Sequence, residues 1–338
     1  MKIVHLVLRE DFAGIEQHVD ELLSNSKALS ITLICNKSIA HNFNQNISIH
    51  EIDNMGRWSL FKKYKLQKLL KSINPDIVHT HGSKTTFIIS SINKGYFKHV
   101  ATVHGVKKNK TIYESADYLI GVSKSAIEGI KAKSKVISNW WFPGLTKLNS
   151  KQNKYALAVG RLEKVKGFDL LISSWINIKS NLIIVGSGNE KSNLLNLIDK
   201  LNLSKKIKII DGVKRDQLKD IYAEASVLIV SSRNEGGPRV ALEALYLEIP
   251  VLSTNVGHMN KIFPEELLAK KDNQQSLKKL LEEYVDNIEV LNQSAIFKYV
   301  EEEFSVKTKI YEINEVYESL FNNWWYRLIV SWIIFSDV

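Results

Sequence analysis

Short apolar runs alternate along the chain with longer stretches whose apolar residues recur at helical spacing. In the first half the apolar runs fall at residues 3–8, 31–34, 77–79, 99–103 and 118–122. In the second half they fall at 155–159, 181–185, 207–210, 227–230 and 250–253. Strands that alternate with amphipathic helices predict an α/β fold with parallel sheets. Between the two halves, "SNWWFPGLTKLNSKQNKYALAVG" carries Pro143-Gly144 and a polar run before a fresh strand at Tyr155, which marks a domain break. The chain of 338 residues is long enough for two cores. The expectation is two Rossmann-like, doubly wound domains, 1–150 and 151–320, facing each other across a cleft, with an aromatic tail at 321–338. In such sheets a ligand lies beyond the carboxyl ends of the strands, and clefts between domains favour small-molecule sites.

Charge changes the picture for the first half only. Residues 1–150 hold 21 Lys and Arg against 11 Asp and Glu, whereas residues 151–338 hold 25 of each. The whole net charge of +10 therefore belongs to the first domain, which should meet something anionic: a membrane surface, a phosphorylated lipid or nucleic acid. A merely solubilising basic surface is the plainer reading. Cys35 is the sole cysteine, which excludes an internal disulfide or a cysteine metal cluster and fits a reducing compartment. The run "MKIVHLVLRE" reads as an opening strand, too short for a signal peptide.

Candidate chemistry concentrates at predicted strand ends. In "AVGRLEKVKGFDLL", Arg161 and Lys166 flank a short loop that Gly167 turns into a helix. A planar guanidinium and a point-charge ammonium suit a diphosphate. "VGSGNEKSNL" is a strand, a glycine turn at Gly186 and Gly188, and a helix; Lys191 stands where a dinucleotide fingerprint has its third glycine, so nicotinamide binding is not expected. In "EGGPRVALE", Gly236 and Gly237 can expose successive N–H groups as an anion nest, with Pro238 at the first helical position. Glu235 and Glu243 then bracket the helix mouth, where one can reach a sugar hydroxyl and the other a ribose. The plainer reading is a dipole complement with an ordinary surface acid.

In the first domain, Gly14 of "LREDFAGIEQHV" follows the first strand and permits close backbone approach to phosphate. "DIVHTHGSKT" ends a strand with His79 and His81, and "HVATVHGVKK" ends another with His104. No carboxylate or cysteine stands near them at ligand spacing, so no metal site is expected. The chain holds no Asp-x-Asp, the usual means of holding a divalent ion on a nucleotide diphosphate. "RWSLFKKYKLQKLLKS" (57–72) sets five lysines beside Trp58, Leu60, Phe61 and Leu66, the composition of an interfacial helix or of a surface helix with its apolar stripe in the core. "NNWWYRLIVSWIIF", near the C-terminus, is too short to span a bilayer.

"GRLEKVKGFDLL", the Glu235-to-Glu243 spacing with "EALYLEIPV", "HTHG", "TVHG" and "ADYLIGVSKSAIEGI" together resemble the retaining glycosyltransferases of family 4, which have the GT-B fold. The likeness runs to about residue 320. It implies that Arg161 and Lys166 bind the donor diphosphate and that Glu243 holds the ribose. It further implies that Glu235 contacts the donor sugar, Gly14 lies by the phosphates and His104 lies beside the reacting sugar. The chain departs from the family at Ala13, in place of a glycine, and at Asn139, which two tryptophans follow. The expected activity is metal-independent, retaining transfer of a hexose from a nucleotide-diphosphate sugar, UDP ahead of GDP, with no cofactor. The expected acceptor is a glycolipid or lipid-linked oligosaccharide of bacterial surface polysaccharide or lipopolysaccharide synthesis. The expected place is cytoplasmic, peripheral on the anionic inner face of the cytoplasmic membrane, with no nucleic-acid partner. Two alternatives remain: a nucleotide-sugar epimerase of the same fold, which needs only the donor, and a nucleic-acid-binding protein, for which the paired acids have no role.

Overall fold

The computed structural model describes residues 1–321, apart from 27–29, 94, 107–108, 149, 151 and 214. The aromatic tail, with Trp324, Trp325 and Trp332, lies outside the described residues. The chain divides into two compact units: Met1–Ile137 joined by residues from Val306 onward, and Ser138–Ser305.

The first unit is built on seven parallel strands: β1 (Lys2–Val7), β2 (Ser30–Asn36), β3 (Ser48–Ile52), β4 (Ile77–His81), β5 (Lys98–Val103), β6 (Tyr118–Gly121) and β7 (Ser134–Val136). Their order is β3-β2-β1-β4-β5-β6-β7, so the chain reverses its direction of travel between β1 and β4. Alternate side chains of the central strands go to opposite faces. Val4 and Leu6 pack with Ile34, Val78, Ile88 and Leu66 on one face; Val7, Leu33 and Cys35 pack with Val19 and Leu23 on the other. β1 and β4 align His5 opposite His79.

The second unit repeats the plan with β8 (Tyr155–Val159), β9 (Leu182–Val185), β10 (Ile207–Ile210), β11 (Ala225–Val230), β12 (Val251–Thr254) and β13 (Leu268–Ala269), in the order β10-β9-β8-β11-β12-β13, all parallel. Here the reversal lies between β8 and β11. The helix Arg239–Tyr246 buries Ala241, Leu242, Ala244 and Leu245 against this sheet.

Two boundaries differ from expectation. The units part after Ile137, not at 150, because β7 still extends the first sheet while "NWW" packs in the second unit. Trp140 is buried there, Trp141 stacks on Tyr246 at 3.9 Å, and Asn139 Nδ2 donates to the Gly237 carbonyl at 2.9 Å. The helix Val306–Glu318 leaves the second unit and buries Ile310, Ile313, Val316 and Tyr317 in the first. It follows the chain's apolar periodicity but not its order. The pattern of apolar runs also missed β3, β7 and β13. β3 is a largely exposed edge strand, and β13 spans two residues.

Candidate active site

In the second unit the loop after β8 is stitched to the end of β11. Gly167 has φ +66°, and a Cβ there would come within 2.2 Å of the Ser231 carbonyl oxygen. Ser231 Oγ donates to the Lys166 carbonyl at 3.0 Å, and the Arg233 N–H donates to the Val165 carbonyl at 2.8 Å. Arg233 also holds Asp169 by two hydrogen bonds, at 2.7 and 2.8 Å, and Asp272 at 2.6 Å. Burial raises the Asp169 carboxyl pKa, but the Arg233 hydrogen bonds outweigh it and hold it below the ordinary value.

This stitching sets Lys166 against Glu235. The ammonium pairs with Glu235 Oε1, which also accepts from Ser232 Oγ at 2.9 Å. Both charged side chains are largely buried, 19% and 15% exposed. Sequence reading named Lys166 and Glu235 but not their mutual pair, nor Ser232 and Arg233, which fix it. Nothing in the chain's spacing could reveal it, since the partners lie 69 residues apart.

Arg161 is not part of this pair: 71% exposed, it extends to Glu163. Glu243 stands on the fifth residue of its helix, as expected, but it is 3% exposed and accepts from the Tyr222 hydroxyl at 3.2 Å. The two acids are therefore unlike: Glu235 serves a cation at a loop, and Glu243 is held in the helix core. Pro238 caps the helix rather than opening it. The expected anion nest at Gly236 and Gly237 is not formed in its alternating form, because neither has positive φ. Gly237 is required for another reason: a Cβ would lie 2.6 Å from His258 Nδ1. Gly186 and Gly188, expected as a tight turn near a ligand, lie against backbone of the protein itself. A Cβ on Gly186 would lie 1.8 Å from the Gly160 carbonyl oxygen, and one on Gly188 would lie 2.4 Å from that of Leu162.

In the first unit Gly14 begins the helix Gly14–Asn25, where a Cβ would meet nothing within 4 Å. Glu16 caps that end by accepting from the Ala13 N–H at 3.2 Å. His104 lies in a cluster of imidazoles that sequence reading saw only in part. His81 Nδ1 lies 3.1 Å from His104 Nε2, and His81 Nε2 lies 3.0 Å from His5 Nδ1. His18 packs edge-on against His104 at 4.7 Å between centroids. His5, His79 and His81 bring one ring nitrogen each within 4.8 Å of one another, as do His18, His81 and His104. The search for ligand spacing along the chain could not find these groups, because they form across β1, β4, the end of β5 and the helix Gly14–Asn25. Burial lowers the pKa of His5 to about 3 and that of His99 to about 4, and lowers His79 and His81 as well.

Two families match the chain by sequence: Glycosyl transferases group 1 at residues 146–296, and Glycosyl transferase 4-like at residues 14–134. An uncharacterized glycosyltransferase of Methanocaldococcus jannaschii is 28% identical over 91% of this chain and 95% of its own length. The chain is a glycosyltransferase. Its fold is GT-B, as in the lipopolysaccharide outer core galactosyltransferase WaaB, with a TM-score of 0.80 at 19% identity over 95% of this chain and all of that one. Anabaena Alr3699/HepE, solved in complex with UDP and glucose, gives the same TM-score at 17% identity over 94% of this chain and all of that one. The glycosyltransferase presents its paired Lys166 and Glu235 at the strand ends flanking the β8/β11 reversal, where doubly wound sheets bind ligands.

Proposed function

We propose that this glycosyltransferase moves a hexose, with retention and without a metal ion, from a UDP-sugar to a lipid-linked or glycolipid acceptor at the inner face of a bacterial cytoplasmic membrane. The Lys166–Glu235 pair carries this reading. A diphosphate arriving at the loop after β8 competes with Glu235 for Lys166. Once Lys166 turns to phosphate, the Glu235 carboxylate is released toward a sugar hydroxyl. Charge that develops on the leaving diphosphate is then met by fixed cations, Lys166 and Arg161, and one such contact is typically worth about 3–4 kcal/mol. Glu243 holds the ribose, Gly14 lies by the phosphates, and His104 acts at the reacting sugar. No side chain is assigned as a covalent nucleophile; the leaving phosphate takes the acceptor proton. The absence of Asp-x-Asp from the chain supports charge neutralisation by side chains.

Support for a UDP donor comes from HepE, solved with UDP and glucose, and support for a surface-polysaccharide acceptor from WaaB, a lipopolysaccharide galactosyltransferase. The membrane reading is supported by the helix Leu60–Ile73. It buries Leu66 and Leu70 yet leaves Leu60 81% exposed and Phe61 68% exposed, with Trp58 just before it 79% exposed. Bulky apolar side chains beside lysines are the make-up of an anionic-lipid contact. Among the described residues no helix is long and apolar enough to cross a membrane.

The test is a panel of nucleotide-diphosphate sugars read by thermal shift, since a bound donor stabilises the folded state by mass action. It is followed by turnover with EDTA and by NMR assignment of the product anomer. A shift with UDP-sugars, EDTA-resistant turnover and a retained anomer are expected. Turnover that EDTA abolishes and magnesium restores, or an inverted anomer, rejects the corresponding part. An epimer formed from donor alone rejects the transferase acceptor.

A further inference from the structure

We infer that Asn139 is a positioning residue of the donor site: with the ring of His258 it clamps the Gly236–Gly237 turn, and so holds Glu235 in place while Lys166 turns to the diphosphate. The clamp stands on contacts within the second unit; the role of Glu235 rests on the function proposed above.

Two segments of the second unit converge on this turn. One is "NWW", at the start of the unit. Asn139 is buried, and its Nδ2 donates to the Gly237 carbonyl at 2.9 Å. A carbonyl only accepts, so the side-chain amide must face it with its NH2 group. The other is the loop after β12. Gly257 there has φ +60°, and a Cβ on it would lie 3.0 Å from both the Gly236 carbonyl oxygen and the Gly237 Cα. His258 follows, fully buried. A Cβ on Gly237 would lie 2.6 Å from His258 Nδ1 and 3.2 Å from Asn139 Nδ2. The turn is thus gripped from two sides at a spacing that a side chain on Gly237 would force open.

The contacts close on themselves. The His258 ring lies 5.5 Å from the Phe304 ring, and the Phe304 carbonyl accepts from the Trp141 N–H at 3.2 Å. Next to Asn139, the Trp140 carbonyl accepts from Arg239 Nε at 3.2 Å, and Trp141 stacks on Tyr246. The two tryptophans therefore tie the backbone beside Asn139 to the helix Arg239–Tyr246, which the turn itself enters. This gives "NWW" a use that its place between the two sheets did not reveal.

The clamp matters because of what the donor removes. The Glu235 carboxylate is held by Lys166 and by Ser232 Oγ. A diphosphate that takes Lys166 takes the charged one of these partners. Glu235 stands two residues before Gly237, so the backbone of the turn then decides where its carboxylate lies. A Gly-Gly pair has more backbone freedom than any other dipeptide, and tethers from outside are what keep it in one conformation. A misplacement of about 1 Å at a reacting group costs on the order of 10²-fold in rate.

The test is Asn139→Asp, which keeps the shape and sets an oxygen against the Gly237 carbonyl. Hydrogen exchange of the peptide spanning 234–240 should quicken several-fold in the variant, while that of β8 stays as in wild type. With saturating acceptor, kcat should fall about 10–100-fold and donor KM should stay within about threefold. Combined with Glu235→Gln, the loss should be far smaller than the product of the two single losses, as for residues that act through one group. Unchanged exchange at 234–240 overturns the inference, and so do single losses that simply multiply. Faster exchange across the whole unit with kcat kept makes Asn139 a plain structural residue and also overturns it. If Asn139→Asp does not fold, Asn139→Ala, which removes the donor and adds no charge, is read in the same way. Faster exchange confined to 234–240, together with full kcat in Glu235→Gln, upholds the clamp and removes Glu235 from catalysis.

Discussion

Lys166, in the loop after β8, forms an ion pair with Glu235, in the loop after β11, and both side chains are mostly screened from water. The pair joins the two strands that flank the reversal in the second sheet. Each partner holds the other's charge, so the two substitutions should not act alike. Lys166→Ala should lower kcat/KM for the donor by about 10²–10³, the loss typical of one fixed charge-stabilising donor. EDTA should change neither wild type nor variant. Steady-state kinetics with varied donor measures it, and loss confined to acceptor KM would contradict it.

Glu235→Gln should lower kcat more than it raises donor KM, since its assigned contact strengthens as charge develops at the sugar. Glu243→Gln should mainly raise donor KM. Tyr222→Phe should leave both constants nearly intact and lower stability by about 0.5–1.5 kcal/mol, the net worth of a hydrogen bond such as that to Glu243. Denaturant unfolding beside donor kinetics separates these cases.

The glycines give a cleaner contrast. Gly186→Ala places a Cβ against a backbone oxygen that cannot yield, and should destabilise by about 1–3 kcal/mol or more. Gly14→Ala meets open space and should leave the melting temperature within a degree or two. If Gly14 lies by the donor phosphates, Gly14→Ala loses activity at full stability. Full activity at full stability would take Gly14 out of the site.

What the chain displayed to a reader, and what it hid, follows from the range of the interactions. The central strands of both sheets were visible because buried parallel strands are continuous apolar runs. Lys166, Glu235 and His104 were visible because they stand at the ends of those runs. The ion pair, the Arg233 clasp and the imidazole chain were not, because their members meet only through sheet order. Glu243 shows the converse: its helix position was legible, while its burial under Tyr222 depended on the preceding helix.

Acid should unfold the first unit early. His5 and His99 accept a proton only near pH 3 and 4 when folded, whereas unfolded histidine does so near 6.5. Below pH 6.5 the unfolded chain therefore binds more protons, and stability falls toward the folded values. The slope is about 1.4 kcal/mol per pH unit for each histidine kept neutral. In the second unit, Asp169 gives a loss of the same sign at lower pH. Arg233 depresses its pKa, so its contribution is present above the ordinary 3.8 and lost as pH falls through the folded value. Urea midpoints measured from pH 7 to pH 5 should show the histidine slope, and a flat profile over that range would refute it.

Exposed Trp58, Leu60 and Phe61 beside lysines should take the protein to anionic liposomes at low salt and release it as salt rises. Phe61→Ser with Trp58→Ser should weaken that association several-fold without lowering the melting temperature. Equal sedimentation with neutral and anionic vesicles would place the contact in the apolar side chains alone.

The return of the helix Val306–Glu318 to the first unit bears on how the molecule is made. Ser138–Ser305 is one unbroken stretch, whereas the first unit is interrupted by all of it. His79 leaves the ribosome 238 residues ahead of Tyr317, its hydrogen-bond partner. At about 5–20 residues per second that interval is on the order of tens of seconds. During it the strands β1 and β4 wait beside each other with a row of buried imidazoles uncovered, while the later unit is already whole. Birth order and completion order are thus reversed in this chain, and the helix Val306–Glu318 is the part that completes the first unit.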